Sequence, residues 1–155
     1  MPSVLTTKKL TKSQESLLFN AGIAWVNYSA IQIEFIKNIQ LPELIENAII
    51  TSKNAWLAVN KNTKIENAFV VGSKTEQLLK EANIAIIEKA DNAKDLANRI
   101  IENHVEKSFT FLCGNKRRDE LPKLLQQNQI ELKEIEVYNT KLNPKKFDQE
   151  FDGIL

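Results

Sequence analysis

Three short segments place hydroxyl, amide or cationic side chains at the predicted start of a helix. A helix leaves its first backbone N–H groups without partners, and its dipole puts positive charge at that end. Each segment is therefore a candidate site for a carboxylate or a phosphate, although serine and threonine are also ordinary helix caps. The candidate residues are Thr51 and Ser52, then Ser73 and Thr75 after Gly72, and then Asn115, Lys116 and Arg117 after Gly114.

Other chemically capable groups give weaker indications. His104 is the only histidine and is expected to be a solvated cation at a helix end. Cys113 follows an apolar strand, which favours a small core residue over a nucleophile, and with no second cysteine a metal site is not expected. Tyr138 is expected to end an alternating strand as a packed aromatic whose hydroxyl points toward the ligand edge or a seam between domains. Neither GxxxxGK[ST] nor GxGxxG occurs, so the common nucleotide phosphate loops are excluded.

Composition narrows the class of protein. The 155 residues are 43% hydrophobic and carry 21 basic and 20 acidic side chains, a net charge of +1. A duplex nucleic-acid binder would show a basic excess, so no nucleic-acid partner is expected. One cysteine fits a reducing compartment, and no apolar run reaches the length of a membrane span. A cytoplasmic protein without a membrane contact is therefore expected.

The elements that would position the candidate residues alternate between strand and helix. A strand at residues 2–6 precedes a capping box that begins at Thr11, and residues 23–35 alternate as extended chain. After a turn at residues 41–45, strands alternate with helices, which predicts βαβ units and a parallel-sheet α/β fold of the flavodoxin/Rossmann-like kind. Right-handed crossovers would bring every strand-to-helix turn to one sheet edge. The strands of this series are expected at residues 47–50, 68–71, 84–87, 108–112 and 130–138.

Two features do not fit one self-contained domain. Residues 2–36 come before a series that is already complete in five strands. Residues 151–155 have the pattern of an entry into another strand. We therefore expect the chain to be incomplete.

Five of these segments, in this order and at these separations, resemble the uroporphyrinogen-III synthase family. Each segment is short, and their combination over nearly the whole chain makes the resemblance specific. The segments are AIITSKNA at 48–55, VVGSKT at 70–75, the stretch 92–96 beginning with NA, LCGNKR at 112–117 and VYNT at 137–140.

The resemblance implies two α/β domains, of which the first is discontinuous. Residues 1–36 would open the first domain, residues 37–143 would form the complete second domain, and residues 144–155 would connect back and begin the return strand. The last third of the family's usual chain, with its Ser-Pro-Ser turn, is absent here. One wall of the interdomain cleft would then be missing, and we expect the 155-residue chain alone to be inactive.

The resemblance also implies the reaction, in which hydroxymethylbilane is cyclised and dehydrated to uroporphyrinogen III with inversion of ring D, in haem biosynthesis. The enzyme would be a monomeric lyase without cofactor or metal, and its partner would be a linear tetrapyrrole. The acetate and propionate groups of that substrate would bind the three segments named above, and Tyr138 would be a general acid for the departing hydroxyl. The alternative is a non-catalytic flavodoxin-like module that binds a nucleotide or another anionic ligand at the same edge.

Overall fold

A computed structural model describes residues 1–59 and 63–155. The chain folds into two compact units, of which unit 1 comprises residues 1–32 and 140–155 and unit 2 comprises residues 33–139. Among the described residues, no helix is both long and apolar enough to cross a membrane. The assignment of unit 1 as an incomplete domain stays a prediction.

Nine strands and five helices lie in these described ranges. The strands are β1 (Ser3–Thr6), β2 (Ala24–Asn27), β3 (Ile31–Phe35), β4 (Leu44–Ile50), β5 (Lys64–Val71), β6 (Ala85–Ala90), β7 (Phe109–Gly114), β8 (Leu132–Leu142) and β9 (Gly153–Ile154). The helices are α1 (Lys12–Asn20), α2 (Lys53–Ala58), α3 (Ser73–Glu81), α4 (Ala93–Asn103) and α5 (Glu120–Gln127).

Unit 1 contains a small parallel sheet with the strand order β2-β1-β9. The predicted capping box is confirmed, because the Thr11 side chain accepts the Gln14 N–H and the Gln14 side chain accepts the Thr11 N–H. The expected final strand is also present as β9, beside β1. Three aromatic rings, those of Tyr28, Phe147 and Phe151, pack edge to face in this unit at centroid distances of 5.3 and 5.6 Å.

Unit 2 is built on the predicted parallel sheet. The order is β3-β8-β7-β4-β5-β6, and every neighbouring pair among the last five strands is parallel. Counted from β4, these five strands have the order 3-2-1-4-5 when read from β6, which is that of the doubly wound Rossmann type and not the 2-1-3-4-5 order of flavodoxin. The α/β fold class is therefore confirmed.

Helices cover both faces of this sheet because successive side chains of a strand point in opposite directions. In β4, Ile49 belongs to the core cluster that includes Leu96 of α4 and Leu125 of α5. Its neighbour Ile50 belongs to the opposite cluster, with Leu79 of α3. The order reverses between β4 and β7, and this is the switch point where such sheets open a crevice.

Several element boundaries differ from the prediction; β5, for example, begins at Lys64 and not at residue 68. Residues 23–35 are not one extended segment, because β2 pairs in the small sheet and β3 in the large one. The turn expected at residues 41–45 is shorter, since β4 begins at Leu44 and Ile45 is already buried opposite Ile65. Tyr138 does not end a strand, because β8 continues to Leu142. In each case pairing with a distant strand sets the boundary, and the local sequence does not show which strand that is.

Candidate functional site

A crevice of about 360 Å³ opens at the carboxyl edge of the large sheet, at the switch point between β4 and β7. Its lining comes from the ends of β5 and β7, from the middle of β8 and from the turns after β4, β6 and β7. Apolar side chains, including Val71 and Leu121, line part of it, and polar side chains line the rest. The polar lining residues are Thr51, Ser52, Asn92, Lys116, Arg117, Arg118 and Tyr138.

Two helix starts line the crevice, one from each face of the sheet, since α2 packs in the cluster of Ile50 and α4 in that of Ile49. Ser52 is the N-cap of α2, and its Oγ accepts the Asn54 N–H at 3.1 Å. Asn92 is the N-cap of α4, with Oδ1 accepting the Asp95 N–H at 2.9 Å. Thr51 lies beside Ser52 on the same wall and is half-buried. The sequence-predicted set did not include Asn92, although its position directly after a strand and before a helix is the same signal that selected Ser52.

Three further lining residues, Lys116, Arg117 and Arg118, lie in the loop at residues 115–119, here called the crevice loop. The sequence places these cations at a helix start, but α5 begins only at Glu120, after an N-cap at Asp119 that makes no side-chain cap. Pro122 explains the difference, since proline lacks an N–H and is tolerated only in the first turn of a helix. The helix cannot extend back to residue 115, so the crevice loop does not offer the helix-start N–H groups that were expected of it.

Arg117 is bound to carboxylates of the neighbouring strand. Its Nε donates to Glu134 Oε1 at 2.9 Å, Nη2 lies 2.8 Å from the same oxygen, and Nη1 lies 3.5 Å from Glu136 Oε1. The hydrogen bond to Glu134 is the main reason that the pKa of the Arg117 guanidinium is raised. The side chain is 25% exposed. Arg117 therefore lines the crevice with its charge already balanced.

Lys116 and Arg118 are different. Both are exposed at the crevice, and within residues 1–59 and 63–155 neither forms an ion pair. The crevice thus presents two unbalanced cations together with two helix N-caps, Ser52 and Asn92. This arrangement can hold an anion with more than one carboxylate.

Tyr138 packs over Gly114. The two residues are register partners across a bulge between β7 and β8, and the half-buried ring lies directly over the glycine. The ring packs against the core cluster of β4 and β5 while the side chain lines the crevice. Gly114 itself belongs to β7 and not to the turn that was predicted to contain it.

Three predicted site residues lie outside the crevice lining. Ser73 is exposed at the first position of α3, after Gly72 with its φ of +85°. Thr75 is only 4% exposed, so its hydroxyl is not presented to a ligand in this conformation. Asn115 is exposed in the crevice loop, and its backbone N–H donates to the Tyr138 carbonyl at 3.2 Å.

Cys113 and His104 are both parts of the packed structure. Cys113 is buried, as predicted, and burial raises the pKa of its thiol to about 11. The expectation of a solvated His104 is wrong, because its side chain is 15% exposed and its Nε2 lies 3.1 Å from Glu88 Oε1. Its ring also packs edge to face on Phe69, a contact that periodicity alone does not reveal. No cluster of His, Cys, Asp and Glu that could hold a metal ion occurs among the described residues.

The chain is similar in sequence to a known protein. A curated relative, the uncharacterized protein RP474 of Rickettsia prowazekii (strain Madrid E), is 29% identical over 163 residues, which is 99% of this chain and 56% of RP474. The chain thus spans little more than half the length of that relative.

Solved structures with the same fold include two uroporphyrinogen-III synthases. That of Helicobacter pylori 26695 superposes with a TM-score of 0.67 at 16% identity, over 94% of this chain and 65% of that one. A mutant of the Thermus thermophilus protein gives 0.60 at 12% identity, over 92% and 64%. The sequence model of the family described as uroporphyrinogen-III synthase HemD matches residues 13–154. The chain therefore belongs to the uroporphyrinogen-III synthase family.

Proposed function

We propose that this protein acts in haem biosynthesis as a uroporphyrinogen-III synthase, and that the crevice of unit 2 holds carboxylates of its linear tetrapyrrole substrate. One observation carries the proposal: Lys116 and Arg118 stand at the switch-point crevice without an ion pair among the described residues. Hydroxymethylbilane has acetate and propionate groups on every ring, so it needs several cationic or N–H contacts at once. A local site of this kind suits a protein whose net charge is only +1.

The hydroxyl-bearing residues supply weaker, directional contacts. Thr51 and Ser52 are proposed to meet carboxylates or pyrrole N–H groups beside the start of α2, and Ser73 remains proposed for the same role near α3. Thr75 is proposed there too, but its buried hydroxyl would first have to become exposed. Ser52 already caps its helix, so its hydroxyl hydrogen is the part that is free to donate to an anion. A monomeric, cytoplasmic enzyme that uses no cofactor remains the prediction from the sequence.

Tyr138 is proposed as the proton donor. Its phenol lies in the crevice, and transfer of its proton to the terminal hydroxyl of hydroxymethylbilane would release water. The cationic methylene carbon left behind would then be attacked by a pyrrole carbon of ring D, and the proton released on ring closure would restore the phenol. A fixed geometry in the crevice selects closure with ring D inverted. Gly114 supports this role, because the absence of a side chain there lets the ring lie against β7.

The test is the rate of hydroxymethylbilane conversion and the yield of the type III isomer, both measured in the full-length protein. Tyr138→Phe keeps the ring and removes the hydroxyl, and we expect it to lower both the rate and the type III yield. Tyr28→Phe is the matched control, since Tyr28 is the chain's other tyrosine and lies in unit 1. Wild-type turnover by Tyr138→Phe would remove the proton-donor role. A wild-type protein that gives no type III isomer, or that purifies with a bound flavin, would contradict the proposed function itself.

A further inference from the structure

The three consecutive cations of the crevice loop are held in different ways. Arg117 is engaged by two carboxylates of β8, whereas Lys116 and Arg118 are exposed and have no ion pair in the described parts of the chain. Neighbouring residues with the same charge thus have different surroundings. We therefore expect the role of Arg117 to differ from that of Lys116 and Arg118.

The contacts of Arg117 leave few of its guanidinium N–H groups available to a ligand. The guanidinium edge formed by Nε and Nη2 is the one best suited to a carboxylate, and this edge already faces Glu134 Oε1, with Nε donating at 2.9 Å and Nη2 at a distance of 2.8 Å. Nη1 approaches Glu136 Oε1 at 3.5 Å. A ligand carboxylate at that edge would first have to displace Glu134.

The crevice loop is fastened to β8 at two points. The Asn115 N–H donates to the Tyr138 carbonyl at 3.2 Å, and the Arg117 side chain binds Glu134. Lys116 lies between these two anchors, and Arg118 follows the second directly. Loss of the contact between Arg117 and Glu134 would make the crevice loop mobile at Lys116 and Arg118. Tyr138 lies on the same strand, β8, so the two anchors also determine where Lys116 and Arg118 lie relative to the phenol.

We infer that Arg117 is a positioning residue, which clamps the crevice loop to Glu134 of β8 and so holds Lys116 and Arg118 at the crevice without touching the substrate itself. This inference rests on the proposed function for the identity of the anion. It reassigns Arg117 from the substrate contact that the sequence indicated.

A binding experiment separates the clamp from a direct contact. The probe is uroporphyrin III, the oxidised and fluorescent form of the expected product, titrated into the full-length protein. We expect Arg117→Met and Glu134→Gln each to weaken binding about tenfold, the scale of one charge-assisted hydrogen bond. The double variant should be no weaker than either single one, because both remove the same contact. Arg117→Lys, which keeps a charge for Glu134, should recover part of the affinity.

Lys123→Met is the matched control, since Lys123 is a cation of α5 outside the crevice lining. It should bind the probe as the wild type does. If Arg117 contacted the substrate directly, Glu134→Gln would free its guanidinium and binding would stay the same or tighten. That outcome overturns the clamp, and so does unchanged binding in both single variants.

A second measurement needs no tetrapyrrole. Backbone ¹⁵N relaxation of the free protein reports the order of residues 115–119 on the picosecond to nanosecond scale. We expect Glu134→Gln and Arg117→Met to lower that order and Lys123→Met to leave it unchanged. An equally ordered loop in Glu134→Gln overturns the clamp. If the wild type fails to bind uroporphyrin III, the proposed function is contradicted, and loop order alone then decides whether the clamp exists.

Discussion

The ring of Tyr138 occupies the space that a side chain at position 114 would need. A Cβ on Gly114 would lie 2.5 Å from Tyr138 Cζ and 2.9 Å from the phenolic oxygen, far inside van der Waals contact. The two residues are register partners in β7 and β8, so neither can move away without disturbing the ladder. The absence of a side chain at 114 is therefore what places the phenol at the crevice.

Gly114→Ala should destabilise the protein and displace the Tyr138 ring. We expect a loss of about 1–3 kcal/mol in the free energy of unfolding, the usual cost of overpacking, measured by urea denaturation. Gly153→Ala is the control, since its Cβ would meet Val4 Cγ1 at an ordinary 3.6 Å. In a Tyr138→Ala background the cost of Gly114→Ala should shrink. An unchanged cost there would mean that the ring is not its cause.

Removal of either unbalanced cation should weaken the binding of a polycarboxylate. For Lys116→Met and Arg118→Met we expect the dissociation constant of uroporphyrin III to rise roughly two- to fivefold at low ionic strength, the scale of an exposed charge pair. Added salt should shrink the difference from the wild type, because exposed charges are screened. Affinities that equal the wild-type value at low salt would show that the crevice loop does not bind the anion.

Asn92 should matter to the fold through its helix cap. Asn92→Ala removes the acceptor of the Asp95 N–H and should lower the free energy of unfolding by about 1 kcal/mol. Asn92→Ser retains a capping oxygen, so its stability should lie close to that of the wild type. Urea denaturation of the two variants checks this, and equal losses in both would contradict a capping role.

Cys113 should be unreactive in the folded protein and should make stability depend on alkaline pH. Burial raises the pKa of its thiol from 9.0 to about 11, so the stabilising difference is fully present below pH 9 and is lost as pH rises toward 11. We expect an aromatic disulfide reagent to label the thiol at pH 8 only after unfolding. Cys113→Ala, measured by urea denaturation between about pH 8 and pH 10.5, should lose less stability than the wild type over that range. Equal losses would mean that the thiol does not titrate as described.

The fold could be predicted because its signals are local. The series of apolar strands and helices is visible in the chain, and helix α4 begins and ends where the sequence places it, after Asn92 and before His104. The capping box at Thr11 is likewise contained within four residues. The end of a strand could not be predicted from local sequence where pairing with a distant strand extends it. β8, for example, continues past Tyr138.

The candidate site was predictable in place but not in detail. The carboxyl edge of a parallel sheet is known once the alternation is recognised, and Thr51, Ser52, Lys116, Arg117 and Tyr138 all meet in one crevice there. The partner of Arg117 was not predictable, because Glu134 lies 17 residues away on another element. The burial of Thr75 was not predictable either, because a hydroxyl at a helix start has the same sequence signature whether it faces solvent or the core.

The strand order of unit 2 has a consequence for how the crevice comes into being. β4, β5 and β6 are neighbours in sequence as well as in the sheet, so they can pair through short-range crossovers. β7 must instead cross back over β4, and its pairing with β4 joins residues that are far apart in the chain, such as Ile49 and Phe111. Contacts between distant residues form slowly because the intervening chain must be ordered first. We therefore expect the crevice to be the last part of unit 2 to assemble, so that a nascent chain acquires its anion site only after β8 has been synthesised.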